Sequence, residues 1–332
     1  MNEIMNICLI SDNNFVNYLS TLIVSILKNS NDEDRFHFYI IEVDITEENK
    51  SKIMQLKEIK ECEISFYKST NIEKYKNISN IIKSKHTWHS WHYSVFLKLD
   101  IPFLFQKLDK ILLLDADSII LDNIYDIYNS DISNLYCAPQ IFFAQLPEEL
   151  KNWLISIGIK NPDKEYLTSG VLLFNLKKIR EEIGLENIDK LIDECVYKYS
   201  DIIYTEEHIL YFLFKDKIKF IDFGVDTYVK SGDKNRKVKI VTFYFAGANN
   251  KPLTKNYMGR INLYYNKFWE YFTFTPFFKD NIFEYMNIFA MNKYKGILYK
   301  LIDKIVWYIP IRKLRYRTRE KMINKVNSMI DF

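Results

Sequence analysis

The 332-residue chain is short of the residues that interrupt structure, with 8 glycines and 7 prolines. So few breakers argue against a linker-rich architecture. The length suits one large α/β domain with an appendage, or two modest domains. Cysteine is scarce as well: Cys8, Cys62, Cys137 and Cys195 lie far apart and follow no zinc-ligand spacing. Three of them sit in apolar runs, as buried free thiols of a reduced compartment do. No charge of one sign dominates, since 46 Lys and Arg against 43 Asp and Glu leave +3. That excess is too small for nucleic-acid binding by the whole chain. No apolar run reaches the roughly 18 residues of a membrane-spanning helix. Residues 1–10 carry Glu3 and no basic stretch, which excludes a secretory signal. A glycine cradle for phosphates is missing too, for there is neither Gly-x-Gly-x-x-Gly nor Gly-Lys-Ser/Thr. The expectation is a cytosolic chain able to touch a membrane from its inner face.

What is present centres on Ile111-Leu112-Leu113-Leu114-Asp115-Ala116-Asp117. Four successive aliphatic residues suit a central strand covered on both faces. Ionised Asp115 and Asp117 are too costly to bury without a partner, so their place is the strand's carboxyl end, where α/β sheets bind ligands. If the chain bends at Ala116, both carboxylates turn toward one cation, and hard oxygen donors suit Mg²⁺ or Mn²⁺. A divalent ion there would attract a diphosphate. Taken alone, Asp-x-Asp also describes a solvated turn.

Around this strand the sequence predicts an α/β fold. Residues 6–10 form a strand that runs into Ser11-Asp12-Asn13-Asn14, followed by helical spacing over 18–27. Asp12 either bonds a ribose or base edge, or together with Asn14 caps the helix. Strands follow over 35–42 and 63–67, with a helix over 46–59 between them. Further strands are expected over 134–138, 171–175 and 237–245. Gly170 allows another group close to the strand it precedes. Thr205 is a candidate cap for a helix opening on Glu206 and Glu207, whose carboxylates serve either the helix dipole or catalysis.

His86, His89 and His92 invite a metal reading. Each three-residue step drifts by roughly 60° on a helix, which sets the outer pair about 120° apart and leaves one ion unable to collect all three. An aromatic helix start over the ligand cleft is the better expectation. Lys98 either meets a phosphate or is a solvated lysine. Residues 246–252 close the last strand with a glycine turn containing Gly247 and the adjacent Lys251, a reasonable phosphate contact. Beyond 272 the character changes, and residues 276–332 read as a helical extension to a main domain over 1–275. In the tail, an apolar, Trp- and Tyr-bearing stretch meets Arg312, Lys313, Arg315, Arg317, Arg319 and Lys321, opposed by Glu320 alone between 312 and 321. Such helices suit an anionic membrane surface, where each basic residue contributes ~1 kcal/mol.

Together the motifs resemble the retaining glycosyltransferases of family 8, especially bacterial lipopolysaccharide and lipooligosaccharide hexosyltransferases. Asp12-Asn13-Asn14-Phe15 with Tyr18-Leu19 is similar to the family's first-strand motif. Asp115 and Asp117 match its Asp-x-Asp, Ser169 to Lys178 its strand behind the donor sugar, and Gly247 with Lys251-Pro252 its closing Gly and Lys-Pro. The resemblance implies a GT-A fold, a UDP-glucose or UDP-galactose donor and Mn²⁺ or Mg²⁺ on Asp115 and Asp117. It implies nucleoside contacts from Asp12 and Asn14, pyrophosphate binding by Lys251, and donor contacts from Lys98, Thr168, Ser169 and Gly170. Glu206 or Glu207 would face the sugar, and a glycan or glycolipid would accept it. The chain departs from the family pattern at Lys98 (usually Arg), Thr168 (Asn), Glu206-Glu207 (Asp-Gln) and Tyr244 (His). These departures keep a second expectation open, a catalytically weak or inactive nucleotide-sugar-binding protein.

Overall fold

The computed structural model describes residues 3–86, 92–141, 146–227, 237–243, 251–255 and 262–330. Its strands are β1 (Ile4–Asp12), β2 (Arg35–Val43), β3 (Glu63–Tyr67), β4 (Lys110–Asp115), β5 (Ser118–Ile120), β6 (Cys137–Pro139), β7 (Val171–Asn175), β8 (Val225–Thr227) and β9 (Ile240–Thr242). The helices that matter to the site and the tail are α1 (Val16–Lys28), α2 (Ile72–Lys85), α3 (Leu185–Tyr199), α4 (Glu206–Phe214), α5 (Leu263–Phe272), α6 (Ile282–Trp307) and α7 (Arg312–Ile330).

Six strands form one mixed sheet in the order β3-β2-β1-β4-β7-β6. β3, β2, β1 and β4 run parallel, whereas β7 is antiparallel to both β4 and β6. A smaller sheet, β5-β9-β8, sits beside it. The run that leads to Asp115 is buried on both faces, as its composition requires. Leu112 and Leu114 point into one core with α1 and α5, and Ile111 and Leu113 into the other with α2, α3 and α4. Period-two alternation thus feeds two apolar layers from one strand.

Some boundaries differ from the expectation. The helix expected over 46–59 ends at Met54 and continues as a 3₁₀ turn over Gln55–Glu58. Of the strand expected over 237–245, the described residues form Ile240–Thr242, with Ser118 opposite Thr242 and Ile120 opposite Ile240, and residues 244 and 245 lie outside the described residues. The strand expected over 134–138 shifts to Cys137–Pro139, in register with Leu172 to Phe174 of β7.

In α6, Ile288 belongs to the core beneath α1 and α5, and Asn17 donates to the Tyr285 hydroxyl at 2.9 Å. Further along, Tyr299, Ile302 and Val306 pack with Ile323 of α7 in a separate small cluster. All four cysteines are unpaired. No helix among the described residues is long and apolar enough to cross a membrane.

Candidate active site

The carboxyl ends of β1 and β4 open into a cleft of about 230 Å³ whose walls include Asp12, Phe15, Lys98, Asp115, Asp117, Glu206 and Lys251. Local chemistry places each group. Asp12 ends β1 and folds its carboxylate back, accepting from the backbone N–H of Asn14 at 2.8 Å and of Phe15 at 3.0 Å. The turn before α1 is therefore held by Asp12, and Asn14 itself is exposed. Asp115 closes β4, its N–H donating to the Gly170 carbonyl at 2.9 Å. A Cβ at Gly170 would stand 3.1 Å from Asp115 Oδ2, so the glycine makes room for that carboxylate. Asp117 lies one turn on, its carbonyl accepting from Phe243 N–H next to β9.

Two lysines meet this pair. Lys98, on the 3₁₀ helix Tyr93–Asp100, is buried, with Nζ 2.8 Å from Asp115 Oδ1, 3.2 Å from Glu206 Oε1 and donating to Ser169 Oγ at 2.8 Å. Lys251 Nζ is 2.5 Å from Asp117 Oδ2 and lies over the Phe15 ring at 4.5 Å. The solvated-lysine alternative for Lys98 is thereby excluded. Burial by itself would lower the Lys98 ammonium, but Asp115 and Glu206 outweigh it and hold it well above the ordinary lysine value. Burial also raises Asp115, against the pull of Lys98.

Thr205 caps α4 as its sequence suggests, accepting from Glu207 N–H at 3.1 Å. The cap turns Glu206 and Glu207 toward Ser169. That hydroxyl donates to Glu206 Oε1 at 2.7 Å, and Ser169 N–H donates to Glu207 Oε1 at 2.9 Å. Burial, reinforced by the charge of Glu206, pushes the Glu207 carboxyl up to about 8. Behind it runs a chain that the sequence reading missed. Tyr204 N–H donates to His208 Nδ1 at 3.2 Å, so Nε2 carries the ring hydrogen and donates to the Tyr166 oxygen at 3.0 Å. Tyr166 then donates to Glu207 Oε2 at 3.2 Å. The adjacency of Glu207 and His208 was the available signal.

Thr168 is half-buried beside Ser169 but is not one of the cleft walls. Gly247, Tyr244 and His89 lie outside the described residues. The other two histidines of that segment are apart in role. His86 faces the Ser200 carbonyl at 3.1 Å, whereas His92 caps the 3₁₀ helix through Ser94 and lines the cleft. No three His, Cys, Asp or Glu side chains among the described residues form a preformed metal cage. The cleft walls nevertheless carry Asp12, Asp115, Asp117 and Glu206 against Lys98 and Lys251. An excess of hard carboxylate oxygen is the chemistry that accommodates a divalent cation, with ligand oxygens and water completing its shell.

Comparison with known proteins gives this geometry its context. A Haemophilus influenzae protein carrying a provisional glycosyltransferase name is 27% identical over 223 residues, 66% of this chain and 62% of that protein. General stress protein A of Bacillus subtilis is 24% identical over 195 residues, 58% of this chain and 63% of its own length. The match thus spans less than two thirds of either relative. Among solved structures, the galactosyltransferase LgtC, in complex with donor and acceptor sugar analogues, superposes with a TM-score of 0.64 at 18% identity. That match covers 82% of this chain and 96% of LgtC. The mixed sheet flanked by helices is the GT-A fold that these enzymes share. The sequence profile of glycosyl transferase family 8 matches residues 6–245, and the chain belongs to that family.

Proposed function

We propose that this protein is a retaining hexosyltransferase that moves glucose or galactose from UDP to a sugar hydroxyl of a growing cell-surface glycan, of lipopolysaccharide, lipooligosaccharide or capsule type. The observation that carries the reading is the convergence of Asp115, Asp117, Lys98, Lys251 and Glu206 on one cleft at the carboxyl ends of β1 and β4. The LgtC structure with donor and acceptor analogues supports it by analogy of fold.

In this reading Asp115 and Asp117 would hold Mn²⁺ or Mg²⁺. When bound, the ion supplies positive charge at the leaving diphosphate. Asp12 and Asn14 contact the nucleoside, and Ser169, Gly170 and Gly247 border the donor, with Thr168 set back from the cleft. Lys251 exchanges the Asp117 carboxylate for a phosphate oxygen, adding a fixed cation where charge develops in the transition state. Lys98 keeps Asp115 and Glu206 in place while facing the donor. Glu206 and Glu207 face the sugar. One of them acts as nucleophile or stabilises a same-face, oxocarbenium-like passage, and Tyr166 holds the second oxygen of Glu207 during either.

The reading extends to organisation. Residues 1–275 form the transferase unit, and 276–332 attach it to an anionic membrane surface on the cytoplasmic side, near a glycolipid acceptor.

UDP release from UDP-glucose and UDP-galactose, each with and without Mn²⁺, tests the proposal. One donor is expected to turn over only with metal, and Asp115→Ala with Asp117→Ala to abolish that release. Full activity in the double variant would overturn the metal assignment. A second reading, nucleotide-sugar binding without turnover, draws on one observation: both Asp-x-Asp carboxylates already have lysine partners. Tight UDP binding with no release from either donor, even in the presence of candidate acceptors, would favour it.

A further inference from the structure

α6 is apolar on two opposite sides, and only one of them is covered. Ile288, Tyr299, Ile302 and Val306 face inward, against the core and α7. Phe283, Tyr294, Ile297, Leu301, Ile305 and Tyr308 recur at helical spacing on the other side and are exposed, Phe283 and Tyr308 by 86% and Ile297 by 66%. At about 100° per residue these six fall within an arc of about 80°, well away from the buried side. They trace a stripe of about 38 Å along the helix and just past its end. A contiguous exposed apolar surface of this kind marks an interaction site.

We infer that this stripe is a membrane-seating surface on which α6 lies in the plane of an anionic bilayer, at the boundary of headgroups and acyl chains. The inference deepens the membrane attachment proposed above and rests on that reading, and it extends the contact upstream to Phe283. Charge identifies the occupant. Residues 293–330 hold eleven Lys and Arg against Asp303 and Glu320, and all of the eleven but the buried Lys295 reach the surface. Lys293, Lys300 and Lys304 run along one flank of the stripe by the same helical spacing, and Arg312 and Lys313 follow the turn into α7. So cationic a border repels a second copy of itself and attracts acidic headgroups, each basic residue contributing ~1 kcal/mol. Trp307 is 70% exposed, with the Arg315 guanidinium 5.0 Å over its ring, an amphipathic pair suited to headgroup depth. Arg319 donates to Asp303 at 2.6 Å and ties α7 to α6. With several lysines along it, α6 lies on the surface without crossing.

The test is co-sedimentation of the full-length protein with vesicles of phosphatidylcholine alone or mixed with phosphatidylglycerol. Three proteins are compared: wild type, Ile297→Asp with Leu301→Asp, and Arg312→Gln with Lys313→Gln. Wild type is expected to bind the mixed vesicles and leave the neutral ones. The apolar variant should lose roughly tenfold or more of that binding, as two aliphatic side chains leave the acyl boundary. The charge variant should lose roughly tenfold. Both should keep the wild-type circular dichroism, because the substituted side chains are exposed. Undiminished binding by the apolar variant would overturn the inference. So would a wild-type dimer in vesicle-free solution that the apolar variant breaks, since the occupant would then be a second copy. UDP release, followed in the same samples without vesicles, judges the transferase reading separately and should be equal in all three proteins.

Discussion

Glu207 is a carboxyl group in an enclosed place, and its proton is linked to folding. The unfolded chain releases that proton near 4.5, whereas burial and Glu206 hold it in the folded, ligand-free protein up to about 8. Between these values the folded state binds one more proton than the unfolded state. The stability this contributes is complete below about 4.5 and is lost as pH rises through about 8. Replacing Glu207 by Gln keeps the acceptor for Ser169 N–H and removes the titration. The melting temperature of wild type, free of metal and nucleotide, should therefore fall more steeply across that window than that of Glu207→Gln. Parallel slopes would show that Glu207 is ionised throughout. His208 and Tyr166 matter here through position. By fixing which oxygen of Glu207 accepts the Tyr166 hydrogen bond, they leave the other to the Ser169 backbone.

α4 shows how much one cap controls. Thr205 sets the first turn, and both glutamates sit in it, so loss of the hydroxyl should act on stability and site together. Thr205→Ala is expected to cost about 1 kcal/mol in chemical denaturation, and to weaken UDP release by more than that loss of stability explains. An equal stability with unchanged release would mean that packing alone orients the turn. This helix and its cap were legible in the sequence because capping is a local pattern. So was β4, whose aliphatic run and acidic exit sit within seven residues. What stayed hidden is nonlocal. Lys98 meets Asp115 from 17 residues away and Glu206 from more than a hundred, and periodicity has no access to such pairs. The reversed direction of β7 was equally hidden, since a strand buried on both faces has the same composition either way. The length of β6 depended on a partner that the sequence does not announce.

At the scale of the molecule, the cleft and the end of the tail draw on different cores. Tyr299, Ile302 and Val306 close a cluster with Ile323 that is separate from the layers around β4. Val306→Asp would place an unpaired carboxylate in that cluster, at a cost of several kcal/mol to it alone. Limited proteolysis should then cut α7 readily while UDP affinity and the main melting transition stay near wild type. A matching loss of UDP affinity would show that tail and cleft unfold as one. The sheet order has a further effect, on timing during synthesis. β1, β2 and β3 can pair within the first 67 residues, and β4 joins β1 once residue 115 is made. The other edge of β4 waits for β7, which begins at Val171. At ~5–20 residues per second the ribosome needs about 3–11 s to supply it. During that interval a largely aliphatic edge ending in Asp115 stands open to other chains, which makes the strand that bears the site also an aggregation hazard of the nascent chain.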